Sequence, residues 1–462
     1  PDIGDYLSGD DKLTIIGNDG SIEGIDWQQL IPNAEGDWIN QRDSDFNSFM
    51  MLGDKKSSDT NTIFGIYSQG VKTNRDAWAL NMSRVTLEKN LRRMIDSYNA
   101  DRARYTNLCA GKSKDQWPDV EFVIDTDPKH ISWTQDLKED CRRNKELDYD
   151  PNSPAVSMYR PFIRQWLYFN RRLYWSSYLI PRIFPTPDHK NTVISGAGVG
   201  ANKAFSAFAT TSLPDYELIS KGQCFPLYWY EKPKEDAKAP QAELSFDATD
   251  TPDADGYIRH DAITDWALSS FKDQYQDQSI SKEEIFWYVY GILHSPEYKQ
   301  RFASDLKKML PRIPYAQDFW AFSKAGRELG QWHLNYETVE PWPVSEVVNR
   351  MMMERQDYRV TKMIFGKKDG KPDKTVIIYN SYLTLREIPL DAYQYIVNGK
   401  SAIDWIMERY AITVDKASGI RNDPNDWSDD SRYIVDLLKR IVRVSLETVK
   451  IVNALPPLNE AK

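Results

Sequence analysis

Two short stretches hold the side chains with the clearest chemical potential. Lys72-Thr73-Asn74-Arg75 lines up four hydrogen-bonding side chains in a polar loop. Tyr159–Trp175, YRPFIRQWLYFNRRLYW, interleaves Arg160, Arg164, Arg171 and Arg172 with aromatic rings. No acid occurs from Tyr159 to Pro187, although the whole chain has a formal net charge of −9. Guanidinium groups beside aromatic rings suit a surface that grips phosphates and stacks on bases. The plainer alternative is a buried sheet edge whose arginines pair with acids elsewhere.

The surrounding pattern shows which elements must carry these groups. Thr62–Ser68 is β-branched and aromatic and reads as a strand ending at Gly70, before the Lys72 loop. Val85, Leu87, Leu91, Met94, Ile95 and Tyr98 recur with a helical period. In the arginine stretch, Pro161 pushes Arg160 out of helical geometry. A strand over Gln165–Phe169 is therefore expected, then a short helix capped by Asn170 and ended by Pro181. Residues 232–256 are rich in proline, alanine and acids and read as a linker or flexible loop. Beyond it, helical periods cover 260–275, 282–293, 296–310 and 318–334. A hairpin is expected over 361–385, turning at Lys367-Lys368-Asp369-Gly370, with a long amphipathic helix over 429–453.

The fold class read from this is α+β: a mixed first domain of short strands and helices, a helical bundle, and a small α+β tail. The expected division is a connector at 1–35, a first domain at 36–231, the linker at 232–256, a helical domain at 257–345 and a tail at 346–462.

Composition narrows the function. Hydrophobic residues make up 41% and charged residues 27%, as in an ordinary globular protein. The acidic balance argues against a wholly basic DNA coat but leaves room for one positive face. Cys109, Cys141 and Cys224 are far apart and form no C-x-x-C, so they read as inert buried thiols in a reducing, cytoplasmic compartment. No apolar run approaches the length of a membrane span. Catalytic signatures are lacking. Ser195–Ala204, SGAGVGANKA, spaces its glycines as GxGxG and has no Gly-Lys-Ser/Thr, so it reads as a tight or flexible loop, with backbone approach to DNA as a middle option. Pro118-Asp119 with Asp127-x-Lys129 mimics a nuclease pattern but is commonplace in so charged a chain. The five histidines form no metal spacing, and no Asn-Pro-Pro-Tyr/Phe methyltransferase motif is present.

Several blocks together resemble one family. GDWINQRDSDF (36–46), YSQGVKTNRDAW (67–78), YRPFIRQWLYFN (159–170), GQCFPLYWYE (222–231), YGILHSPEYKQRF (290–302), LPRIP (310–314), NGKSAIDWIMERY (398–410) and DKASGIRNDPNDW (415–427) look like the C-terminal specificity region of single-chain type ISP restriction–modification enzymes. The resemblance spans nearly the whole chain, which opens on Pro1-Asp2-Ile3 and is read as a piece of a longer polypeptide. It implies a partner, double-stranded DNA, and neighbouring methyltransferase and motor domains on the same polypeptide. It also implies that S-adenosylmethionine, ATP and Mg belong to those other domains, with no cofactor and no catalytic residue in this chain. A protein-interaction scaffold that docks on those domains without reading DNA is the alternative.

Within that frame, Asn74, Arg75, Arg160 and Arg164 are the expected base readers, because arginine takes guanine and asparagine takes adenine bidentately. Lys72, Thr73, Arg171, Arg172 and Lys203 are expected on the DNA backbone. Gln41, Arg42, Arg421 and Asn422 are weaker candidates for DNA or interdomain contact.

Overall fold

The computed structural model describes residues 29–55, 61–233 and 251–459, together with Thr14 and Gly17. Most of the connector expected over 1–35 lies outside the described residues.

The arginine stretch is built as half of an antiparallel strand pair. Pro154–Arg160 runs against Ile163–Tyr168, with Val156 opposite Trp166 and Met158 opposite Arg164. Pro161 and Phe162, the latter at φ 64°, make the reversal. Leu80–Asn81 extends this sheet antiparallel at one edge, and Leu213–Pro214 extends it in parallel at the other. Pro181 does not end the following helix. It lies in the first turn of Ile180–Ile183, where a missing N–H is harmless.

A second sheet lies beside the first, in the order Ser68–Gln69, Gln223–Pro226, Val193–Gly196, Ala207–Thr210. The glycine-rich loop leaves its third strand and packs on protein backbone. A Cβ at Gly198 would sit 2.1 Å from the Lys221 carbonyl oxygen, and the Gly198 N–H donates to Ser220 at 3.1 Å. Glycine is needed there for close passage of two chain segments.

The helix at Arg84 is longer than its apolar period, running to Cys109 from a Ser83 cap. Its buried face (Leu87, Leu91, Met94, Ile95, Tyr98) packs with Val120, Ile131, Leu137 and Tyr168.

Residues 232–256 do not separate two cores. Tyr228–Glu231 pairs antiparallel with Ile258–Asp261, so the acid-rich segment is an insertion within a hairpin. His260, expected in a helix, is in that strand, and the helix begins at Asp265 behind a Thr264 cap. Phe46, Ile63, Ile194 and Phe225 from before the insertion share one core with Phe271, Phe286, Tyr290 and Phe322 from after it. The capped helices Lys282–His294 and Phe319–Leu334 form the centre of that core.

The last third adds a four-stranded antiparallel sheet in the order Ser345–Val348, Leu383–Arg386, Lys371–Ile378, Ile364–Lys368. Helices Ala402–Arg409 and Tyr433–Asn453 cover it. This core also takes in Met158, Phe162 and Ile163 of the arginine stretch. Among the described residues no helix is long and apolar enough to cross a membrane.

Candidate nucleic-acid interface

The two distant stretches meet. Lys72 and Ser176 exchange backbone hydrogen bonds of 2.8 and 3.0 Å. The Tyr159 hydroxyl donates to Asp76 Oδ2 at 3.3 Å, just beyond the Lys72 loop. The sheet pairing therefore places the loop and the aromatic segment side by side.

Most of their arginines nevertheless face inward. Arg75 is only 5% exposed. Its Nη2 donates to Thr134 Oγ1 at 2.9 Å and its Nε has no partner. Burial lowers its pKa to about 10. Arg160 forms a 2.7 Å ion pair with buried Asp215 and covers the Tyr159 ring at 3.9 Å. Burial pushes the Asp215 carboxyl up to about 7, against the opposing pull of Arg160. Arg164 pairs with Glu337 at 2.7 Å and lies over the Tyr336 ring. Arg75, Arg160 and Arg164, expected to read bases, are thus engaged internally: their donors face protein acceptors and rings, with Arg75 buried and the Arg160 and Arg164 side chains 12% and 20% exposed.

The expected backbone contacts divide in the same way. Thr73 is buried; its hydroxyl donates to Asp76 and accepts from the Arg75 N–H. Arg172 pairs with Asp140 at 3.2 Å and reaches the carbonyls of Lys145 and Glu146. Lys203 donates to the Asn398 carbonyl at 3.1 Å. Gln41 donates to the Ile31 and Asp37 carbonyls, and Arg42 pairs with Asp37 at 2.8 Å, so both close a local turn. Arg421 pairs with Asp423 at 2.9 Å. Asn422 accepts from the Met82 N–H at 2.8 Å and donates to Gln165 at 3.4 Å, fastening the tail to the arginine-bearing sheet.

Asn74, Arg171 and Lys72 reach the surface, as do Gln41 and Arg421 despite their internal bonds. Asn74 is exposed at φ 54°. Arg171 is exposed and joins none of the ion pairs among the described residues. Lys72 is half-buried, with its ammonium 5.2 Å from the Tyr216 ring centre. The structure adds neighbours that sequence patterning missed. Trp175 and Tyr178 are 45% and 58% exposed on the loop that pairs with Lys72. Lys55 lies 4.3 Å from the Tyr67 ring centre and 5.8 Å from that of Tyr178. The signal for Trp175 and Tyr178 was their place in WSSY, after the strand had already buried its rings. Lys55, Lys72, Asn74, Arg171, Trp175 and Tyr178, on the two paired loops and beside them, offer cations and open aromatic faces suited to phosphates and sugar or base planes.

The family model described as the Type ISP C-terminal specificity domain matches residues 62–437. The chain belongs to that family. Solved structures agree over its full length. A nuclease-deletion mutant of the Type ISP restriction–modification enzyme LlaGI, in complex with a DNA substrate mimic, is 34% identical, with a TM-score of 0.82 over 100% of this chain. The ATP-dependent Type ISP enzyme LlaBIII bound to DNA is 32% identical, with a TM-score of 0.80 over 99%. A DrdV–DNA complex is 28% identical, with a TM-score of 0.78 over 98%. This specificity domain spans 39%, 27% and 42% of those three chains. None of the curated proteins compared with it matches.

Proposed function

We propose that this specificity domain reads a short asymmetric duplex sequence for a Type ISP enzyme whose other domains methylate adenine at N6 and cleave DNA with ATP. S-adenosylmethionine, ATP and Mg are assigned to those other domains. The observation that carries the reading is the match, over essentially the whole chain, to three proteins solved with DNA or a DNA mimic. In this reading Asn74 and Arg171 contact base edges, Lys55 and Lys72 contact phosphates, and Trp175 and Tyr178 supply apolar contact. Arg75, Arg160 and Arg164 act behind them, holding the loop and the strand pair in place. The buried free thiols Cys109, Cys141 and Cys224 support a reducing, cytoplasmic location.

The test is selection from a randomised duplex pool. The 462-residue chain should retain DNA in a salt-dependent manner and enrich one short asymmetric sequence. Arg171→Ala should relax one position of that sequence. Absence of any salt-dependent retention would sink the reading.

A further inference from the structure

A second positive element stands apart from the surface just described. Residues 362–374 hold Lys362, Lys367, Lys368, Lys371 and Lys374 against two acids, Asp369 and Asp373. All five lysines are exposed, and none joins an ion pair among the described residues. Four of them lie on the hairpin Ile364–Lys368 / Lys371–Ile378, at the edge of the C-terminal sheet, and Lys362 just precedes it. Its tip is rigid: Asp369 at φ 51° and Gly370 at φ 76° give the mirror-image turn that matches strand twist.

Two features distinguish this arm from an ordinary solvated edge. Lys368 is directly opposite Lys371, so like charges face each other across the ladder. Such a pair weakens a hairpin unless an anion lies over it. Asp373 is one compensating charge; its pKa is lowered, first by hydrogen bonds from Thr375 and then by Lys368 and Arg386. The base of the arm is also braced. A register shift at Phe365/Gly366 bulges the partner strand, and the Tyr393 hydroxyl donates to the Lys374 carbonyl at 2.8 Å. The Lys374 ammonium lies 4.9 Å from the Tyr393 ring centre and 5.9 Å from that of Phe365.

We propose that this hairpin is a phosphate-contacting arm that grips the duplex backbone independently of sequence. The inference rests on the DNA-reading function proposed above. Lysine is a mobile point charge without the planar fork that recognises guanine, so the arm sets affinity and register rather than specificity. A two-stranded ribbon has the width to follow a duplex groove.

The experiment compares the 462-residue chain with a Lys367→Gln/Lys368→Gln/Lys371→Gln variant on a labelled mixed-sequence duplex across a salt series. Three lost phosphate contacts should flatten the slope of log affinity against log salt by about 2.7, which shrinks the affinity loss between 50 and 200 mM salt roughly 40-fold. The sequence enriched from a duplex pool should stay the same. Thermal melting should be unchanged or raised, because the variant relieves the Lys368–Lys371 repulsion. An unaltered salt slope in a folded variant, with the parent chain binding normally, overturns the arm alone. A parent chain that binds no duplex overturns the DNA-reading function and the arm with it. If the triple variant melts early, Lys371→Gln alone replaces it, with an expected slope change of about 0.9.

Discussion

The arginine stretch at 159–175 and the lysine hairpin at 364–378 are both positive, and they use their charge in opposite ways. Arg160 and Arg164 sit on a sheet whose faces are covered, and each meets a carboxylate at 2.7 Å. Lys367, Lys368 and Lys371 sit on an arm that projects past its sheet and, among the described residues, form no ion pair. The difference follows from the side chains. Guanidinium is weakly hydrated, planar and able to bond in several directions, so it tolerates burial; ammonium is strongly hydrated and stays in water. Arginine density among aromatics therefore marked a braced interior, while lysine density around a turn marked a free surface.

The largest expected effect breaks the interior side of this contrast. Arg160→Ala leaves Asp215 buried without its partner and should cost about 3–5 kcal/mol, read from the midpoint of urea unfolding. A midpoint equal to the parent's would show that Arg160 is not a structural tie. Arg164→Ala, at a half-exposed pair, should cost less, about 1.5–3 kcal/mol in the same assay.

Acid should separate the regions further. His294 and His333 are fully buried where the helices meet the C-terminal part; His333 bonds Tyr290 at 2.6 Å and Thr448 at 2.9 Å. Burial lowers both pKa values, that of His294 to about 3. The unfolded chain therefore binds more protons than the folded one below the ordinary histidine value. Their contribution is complete above about pH 6.5 and is lost as pH falls below it, for His294 down to about 3, at up to about 1.4 kcal/mol per pH unit for each group. Unfolding midpoints measured across that window should fall, and His294→Phe should flatten the trend. A profile unchanged by that substitution would remove His294 from the account.

The smallest effect on stability belongs to the surface. Arg171→Ala and the triple lysine variant should each stay within about 0.5 kcal/mol of the parent. Their consequences should appear in DNA binding instead. A large loss of stability in either would erase the contrast between free and tied cations.

Local chemistry was legible where one segment decides the outcome. The turn at Asp369-Gly370 and the helices at 282–294 and 319–334 follow from neighbouring residues. Arg160, Arg164 and Lys203 were different. Their partners Asp215, Glu337 and Asn398 lie 55, 173 and 195 positions away, so whether each cation faces inward depends on tertiary pairing that no local pattern carries. The same holds for the insertion at 232–256, whose composition resembles a boundary although the strands on either side pair with each other.

Asn398 has a consequence for how the protein is made. At a turn with φ 49°, it accepts the Ser220 N–H at 3.1 Å, receives Lys203 on its carbonyl and donates to Leu218 at 3.3 Å. Asn422 similarly closes on Met82, 340 positions earlier. During synthesis the early sheets emerge long before the groups that complete their loops. Closing such long spans also carries the entropy cost that slows folding. The nascent chain must therefore wait with open backbone donors at Met82 and Ser220 until the tail arrives, and a ribosome that stalls before residue 398 would leave both donors without those acceptors.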